Sequence, residues 1–391
     1  MVAKRGLRGS RYWLPRAGFL LALLVATALL GAPEAQAESR QIITVDAVHS
    51  LSRLDENDWS AAGLGLVELD LASTGNRQAR GQLRVTAAAS ADGTTDAAID
   101  RAFVKVRLPF RREQWFHITA GRARLSWGDG AFFNAGDTLY GRSAPSASFS
   151  QDTLRDEASW ILAAFFPLGR FSFVEPVVLV PGVDVLSAAP DPPGIENTAA
   201  GLRIQGKLRE IKAEASYLYD GGLAGGNNPG SGLSAASAFA LDEEPAAGAE
   251  DYGDLHRPAV SFQGNLGVDW YLAASTALPG PSSSAPEDYW KEELALSLGL
   301  LHVVSYPSGG SLSLRLESLL LPWREWEVTP GGAQEAVVDA ALAGVHLDPA
   351  EVYAIQLFPE IVWSANPTLS LYFRSLVSPV DLSAQITPGV R

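Results

Sequence analysis

Apolar and polar residues alternate at every second position of this chain, in one segment after another. In 311–321, Leu312, Leu314 and Leu316 share one parity, and Ser313, Arg315 and Glu317 share the other. A period of two belongs to an extended strand whose two faces meet different surroundings. The segments are joined alternately by long and by short connections. Antiparallel strands joined that way gather their tight turns at one end and their long loops at the other. The pattern therefore selects an all-β meander over helical or parallel architectures.

The first residues add export. Lys4, Arg5, Arg8, Arg11 and Arg16 flank or precede an almost wholly apolar run over 18–30, and Ala35-Gln36-Ala37 offers a small-x-small cleavage site. This is the layout of a secretory signal peptide, so 1–37 is expected to be a leader and 38–391 a single domain. The apolar run is short for a bilayer span, which takes ~20 residues, and no later segment approaches that length. A membrane location must then come from strands. The chain has no Cys. A closed hydrogen-bonded barrel holds an exported domain of this size together without disulfides. The expected fold is a transmembrane antiparallel up-and-down β-barrel in a bacterial outer membrane, with short periplasmic turns and long extracellular loops. Outer-membrane lipid and the barrel-insertion machinery are its implied partners, and both a monomer and a homo-oligomer fit. A soluble β-sandwich would alternate too, but it would bury its apolar face against a second sheet.

Alternation places strands near 42–54, 63–73, 79–90, 97–108, 115–127, 157–168, 171–181, 197–209, 211–220, 256–267, 268–278, 289–306, 311–321, 351–363 and 368–376, with a short last one near 382–386. Tight links fall at 74–76, 111–114, 169–170, 210, 267, 308–310 and 364–367, and long ones at 129–156, 182–196, 221–255, 279–288 and 324–350. With both termini at the turn end the count should be even, and sixteen is expected, with fourteen the alternative. Aromatic residues near strand ends predict girdles at the headgroup level: Trp59, Trp115, Trp127, Trp160, Tyr217, Tyr219, Trp270, Tyr271, Trp290, Trp323, Trp326 and Trp363.

One segment carries a resemblance. Gly121-Arg122-Ala123-Arg124-Leu125-Ser126-Trp127-Gly128-Asp129-Gly130, followed by Phe132-Phe133-Asn134 and Asp137, resembles a stretch of porin-like bacterial outer-membrane β-barrels. There a Gly-Arg-x-x-x-Ser-Trp-Gly strand runs into a loop containing Gly and Asn. The resemblance covers about 115–141 and implies an outer-membrane barrel without implying a substrate. The chain departs from such barrels at its end, Thr387-Pro388-Gly389-Val390-Arg391, where an aromatic residue is common. Either the insertion signal is internal, around 369–373, or insertion differs. Phe116, Ile118 and Ala120 share a parity with Arg122 and Arg124. A lipid-facing Arg near the midplane costs ~2–4 kcal/mol. A bulge near Gly121 is therefore expected to turn both Arg inward, the alternative being Arg side chains that snorkel into headgroups.

Two constellations bear on function. Arg80 and Arg84, then Arg101, Lys105 and Arg107, then Arg122 and Arg124 fall on three consecutive strands, and Arg203, Lys207 and Arg209 on another. Inward members would form a basic ladder lining the lumen and favouring anions, with Asp46, Glu68, Asp70 and Glu317 as acidic partners. Charges pairing among themselves in a solvated interior is the plainer alternative. The loop 129–156 is rich in aromatics for a segment in water. Its Phe132, Phe133, Asn134, Asp137, Tyr140 and Arg142 are the candidates for a constriction folded into the lumen, the alternative being an outer loop packed on its neighbours.

Other classes find little support. The formal charge is −14, and about −18 without the leader's five bases and Glu34, which disfavours nucleic acid. Asp242, Glu243, Glu244, Glu250, Asp251 and Asp254 match no calcium-loop spacing. His49, His117, His256, His302 and His346 form no metal-binding spacing, so no metal, cofactor or catalytic set is expected. The polar inward face implies passive diffusion of small hydrophilic solutes through a porin-like channel. The alternative is a closed surface barrel that adheres or binds ligands through its long loops.

Overall fold

The computed structural model describes residues 39–53, 59–73, 78–90, 95–111, 114–142, 158–180, 198–221, 254–307, 309–324, 326, 353–366 and 369–390. The expected leader, the cleavage site and Asp242 to Asp251 of the acidic loop lie outside them. No described helix is long and apolar enough to cross a membrane.

Strands follow one another in chain order: β1 (Ser39–Arg53), β2 (Trp59–Ser73), β3 (Ala79–Ser90), β4 (Thr95–Arg111), β5 (Gln114–Ala123), β6 (Ser159–Pro167), β7 (Phe173–Val180), β8 (Ala199–Leu208), β9 (Ile211–Gly221), β10 (Asp254–Asn265), β11 (Asp269–Ser275), β12 (Leu278–Pro279), β13 (Ala295–Ser305), β14 (Ser311–Leu320), β15 (Ile355–Asn366), β16 (Leu369–Ser378) and β17 (Ser383–Val390). Every pairing is antiparallel and joins neighbours in sequence, with β12 the one interruption. β11 and β12 meet β10 in a single register, Ala259↔Ser275 and His256↔Leu278. They are one strand broken at Thr276 and Ala277, so the described wall has the sixteen strands expected. Among the described residues no ladder joins β1 to β17.

Parity assigns the faces. Leu162, Val178, Leu202, Ile204, Val260, Phe262, Leu272, Leu298, Leu300, Leu314, Leu316, Ile361, Leu371 and Phe373 all point outward and are exposed. Glu175, Glu214, Ser216, Ser261, Ser297, Glu317, Gln356, Glu360 and Arg374 point the other way and are buried. Apolar side chains outside and carboxylates inside invert the order of a water-soluble protein. A second sheet covering the leucines, as in a sandwich, is absent among the described residues. The single sheet curls around the segment that follows β5, because β6 to β9 and β11 to β15 both touch it. This is a transmembrane up-and-down barrel with its polar face enclosed.

Some local expectations are corrected. Residues 124–127 do not extend β5; they leave the wall and enter the interior. Trp127 and Tyr271 are not girdle residues, for both are buried inside the barrel. The strand expected from 289 begins at Ala295, and 289–292 forms a helical turn, α1 (Tyr289–Glu292). The last strand runs to Val390, beyond the expected 386.

The bulge expected at Gly121 is absent: pairing with β4 continues through Phe103↔Gly121 and Ala102↔Arg122 without a shift. Register shifts lie elsewhere, one ladder earlier between Arg84 and Val85 opposite β4, and at the turn end of the β4–β5 ladder between Pro109 and Arg111. Gly121 instead takes φ +117°, and a Cβ there would stand 2.2 Å from the Ala102 carbonyl oxygen. A conformation open to glycine alters the chain's course without an extra residue. Gly121→Ala is expected to cost ~1–3 kcal/mol of backbone strain plus the clash. A lowered temperature for loss of β-sheet circular dichroism would reveal it.

Candidate functional site

The segment 124–142 crosses the barrel interior, fastened to itself and to two sectors of wall. Its two ends are tied together. Tyr140 donates from its hydroxyl to the Ala123 carbonyl at 3.2 Å, and the Asn134 N–H donates to the Arg142 carbonyl at 2.8 Å. Asn134, fully buried, donates from Nδ2 to the Trp127 carbonyl at 2.7 Å. Asp137 Oδ1 accepts the Leu139 and Tyr140 N–H groups at 3.1 and 3.3 Å, in the manner of an Asx turn. Irregular backbone is tolerated at membrane depth only where such partners replace water.

The first sector is β7 to β9. Arg203 of β8 pairs with Glu175 of β7 at 2.6 Å and with Glu214 of β9 at 3.5 Å, and donates to the Ser126 carbonyl at 3.0 Å. Glu214 Oε1 accepts the Gly128 N–H at 2.8 Å, and Lys212 Nζ reaches Asp129 at 2.6 Å. Trp127 packs beside this sector among Ile161, Val177, Leu179 and Leu218.

The second sector is β11 to β15. Glu317 of β14 is 2% exposed and accepts three consecutive N–H groups: Ala131 at 3.1 Å, Phe132 at 2.8 Å and Phe133 at 2.9 Å. Charge-assisted bonds of this kind are about twice as strong as neutral ones. Ser297 Oγ accepts the Ala135 N–H at 3.0 Å, and Tyr271 donates to the Phe133 carbonyl at 2.7 Å. The Tyr271 ring lies over Gly299, where a Cβ would stand 1.8 Å from it. The Phe132 ring stacks on Phe358 with centroids 4.4 Å apart. Behind Glu317 a charge relay runs along the wall: Arg315 at 3.7 Å, then Glu360 at 3.3 Å from Arg315, then Arg374 at 2.7 Å from Glu360.

Of the constriction candidates, Phe132, Phe133, Asn134, Asp137 and Tyr140 all lie in this buried crossing. Arg142 sits at its exit, 3.5 Å from Glu293 in the connection after β12. The basic candidates separate into groups. Arg80, Arg84, Arg101, Lys105 and Arg107 share the inward face of β3 and β4, through Arg84↔Arg101 and Arg80↔Lys105. Within it Arg84 is neutralised by Glu68 at 3.3 Å and Asp70 at 3.2 Å. Arg122 donates from Nε to the Asp100 carbonyl, and Arg124 lies beyond β5. Arg203 is a brace between carboxylates, Lys207 faces inward near the turn end of β8, and Arg209 leaves the wall in a tight turn with φ +56°. Glu317 serves the crossing segment and not the basic ladder. Glu175, Glu214 and Ser297 were not singled out by sequence, and Tyr271 was expected only in a girdle; an inward Glu reads the same whether it faces water or a backbone N–H.

Toward the short-turn end a cavity of about 1440 Å³ remains, lined by His117, Phe165, Phe173, Gln205, Lys207 and Gln263 among others. No described group of His, Asp and Glu residues could hold a metal ion.

No family model matches the sequence, and no curated protein matches it. Solved structures similar to this chain include OprB of Pseudomonas putida, at 12% identity and a TM-score of 0.47, covering 94% of this chain and 95% of that one. Salmonella typhi OmpF in complex with daunomycin is 9% identical with a TM-score of 0.48, over 90% of this chain and 97% of that one. A triple mutant of the Rhodopseudomonas blastica porin is 7% identical with a TM-score of 0.41, over 89% and 99%.

Proposed function

We propose that this chain is a bacterial outer-membrane channel for passive diffusion of small hydrophilic solutes, with the segment 124–142 as its constriction. The observation that carries the reading is how that segment is held. It is pinned across the lumen by buried carboxylates of two wall sectors, and an open cavity remains below it. An adhesive surface barrel has no need of a braced interior crossing. Export through a leader cleaved after Ala37 and delivery by the insertion machinery belong to the same reading, with the long connections on the outer side. Refolded protein in a planar bilayer should give steps of ohmic current in KCl; absence of current at every voltage would remove the proposal.

The same reading includes a preference for anions. Arg84 and Arg203 are matched by carboxylates. The bias therefore falls to Arg80, Lys105 and Arg107, adjacent on the inward face of β3 and β4. A charge near the ion path is worth ~1 kcal/mol when water screens it, a factor of about five in relative permeability. Neutralising all three to Gln should move the reversal potential in a KCl gradient toward that of a cation-preferring pore. Arg84→Gln should move it much less. An unchanged reversal potential in the triple variant would exclude these residues.

A further inference from the structure

The wall below the constriction carries an apolar patch that a channel for wholly hydrophilic solutes does not require. His117 of β5, Phe165 of β6 and Phe173 of β7 share the inward face, with centroids 5.2 Å apart for the first pair and 4.5 Å for the second. All three line the cavity, and Trp115 and Phe171 extend the patch to its rim, 40% and 54% exposed. Aromatic side chains left half wet inside a lumen cost free energy unless something apolar covers them.

Cations flank the patch on both sides. Lys207 Nζ is 5.6 Å from the centre of the Phe171 ring. Arg107 is the direct cross-strand neighbour of His117, and Lys105 follows one step farther along the same face. His117 stacks on Phe165 and Phe173 lies tilted against it, so the rings cover one another's faces and leave mainly their edges free, and ring edges carry the positive end of the quadrupole. The rest of the cavity wall is mainly amide, from Gln205, the cross-strand neighbour of Phe173, and from Gln263 and Asn265. Its acids are Glu210 and Asp269, while Lys212 is engaged by Asp129.

We infer that this vestibule is a binding site for aromatic carboxylates, with the ring against the Phe165, Phe171 and Phe173 patch and the carboxylate at Lys207 and Arg170, which both line the cavity and reach the Phe171 ring. It rests on the channel reading for its access route and makes the solute class narrower than "small and hydrophilic". A neutral sugar would leave the cations unused, and an inorganic anion would leave the rings uncovered.

The probe is benzoate, tested on the refolded full chain in a planar bilayer with acetate, benzyl alcohol and benzylammonium as controls. Benzoate is expected to reduce the KCl current at a concentration about tenfold lower than acetate. Neither benzyl alcohol nor benzylammonium should match it. Lys207→Gln and Phe171→Ser, both at exposed positions, should each weaken the block about fivefold, measured against each variant's own unblocked KCl current. Equal block by benzoate and acetate would overturn the inference, as would a stronger block by benzylammonium, which would assign the site to cations at Glu210 and Asp269. Equilibrium dialysis of benzoate against the protein in nanodiscs separates the two readings. Binding without current removes the channel and keeps the site; current without block or binding does the reverse.

Discussion

Glu317→Leu should expose the Phe132–Phe133 pair to chymotrypsin in the folded barrel and raise both the size and the noise of the single-channel current. The carboxylate is the acceptor of three N–H groups in a place that water does not reach. Leucine has similar bulk and no acceptor, so all three donors lose their partner at once. Each bond to a charged group is worth ~1.5–3 kcal/mol, so the loss of two of the three comes to about 3 kcal/mol at the low end of that range. A change of that size raises the population of detached segment more than a hundredfold. Phe132 and Phe133 are now 2% and 0% exposed, and a protease cannot use them unless the segment swings away. Two things should persist after detachment: the β-sheet signal and the tether through Glu214 to Gly128. Glu317→Gln, which keeps one acceptor oxygen, should fall between. If chymotrypsin cuts wild type and Glu317→Leu at equal rates, the segment is held by its own turns and not by the wall.

That outcome bears on what a sequence can disclose. The barrel was legible because period-two alternation is imposed by a wall with oil on one side and water on the other. Leu202 and Ile204 against Arg203, Gln205 and Lys207 is enough to orient a whole strand. The loop lengths were legible for the same reason, since tight turns and long connections sort to opposite ends. The count of sixteen held because the break at Thr276 and Ala277 keeps one register on both sides. What alternation cannot reveal is where an inward side chain finds its partner. Arg203 and Arg80 share the inward face and the same chemistry, yet one is clasped by Glu175 and Glu214 and the other sits in a row of cations with Lys105. Trp127 looked like a girdle residue because Trp near a strand end usually is one, and here the strand had already ended at Ala123. Gly121 marked the right place for a change of direction, but the device was a left-handed residue and not a bulge. The fastening of the crossing segment depends on contacts between residues more than eighty positions apart, such as Glu214 with Gly128 and Glu317 with Phe133, and no local pattern encodes them.

Arg203→Met should be the most damaging single substitution in the wall. Among the described residues the guanidinium is the ion-pair partner that Glu175 and Glu214 share, and those side chains are only 8% and 3% exposed. It also holds the Ser126 carbonyl and covers the Phe173 ring at 5.0 Å, so it braces three strands and the crossing segment together. Methionine fills much of the volume but leaves two carboxylates facing each other across Gly201 to Gln205. Removing one partner from a buried ion pair costs ~3–5 kcal/mol, because the charge left behind is uncompensated. A sharp fall in the temperature at which the barrel loses the gel mobility that distinguishes it from the unfolded chain is expected. The pairing also predicts its own rescue. Glu175→Gln added to Arg203→Met removes the repulsion and should recover a large part of the loss, whereas Glu175→Gln alone in the wild-type background should be mild. Glu214→Gln should rescue less well, since Glu214 must also accept the Gly128 N–H and an amide is the weaker acceptor there. Two independent, additive losses in the double variant would mean that Arg203 acts by filling space alone.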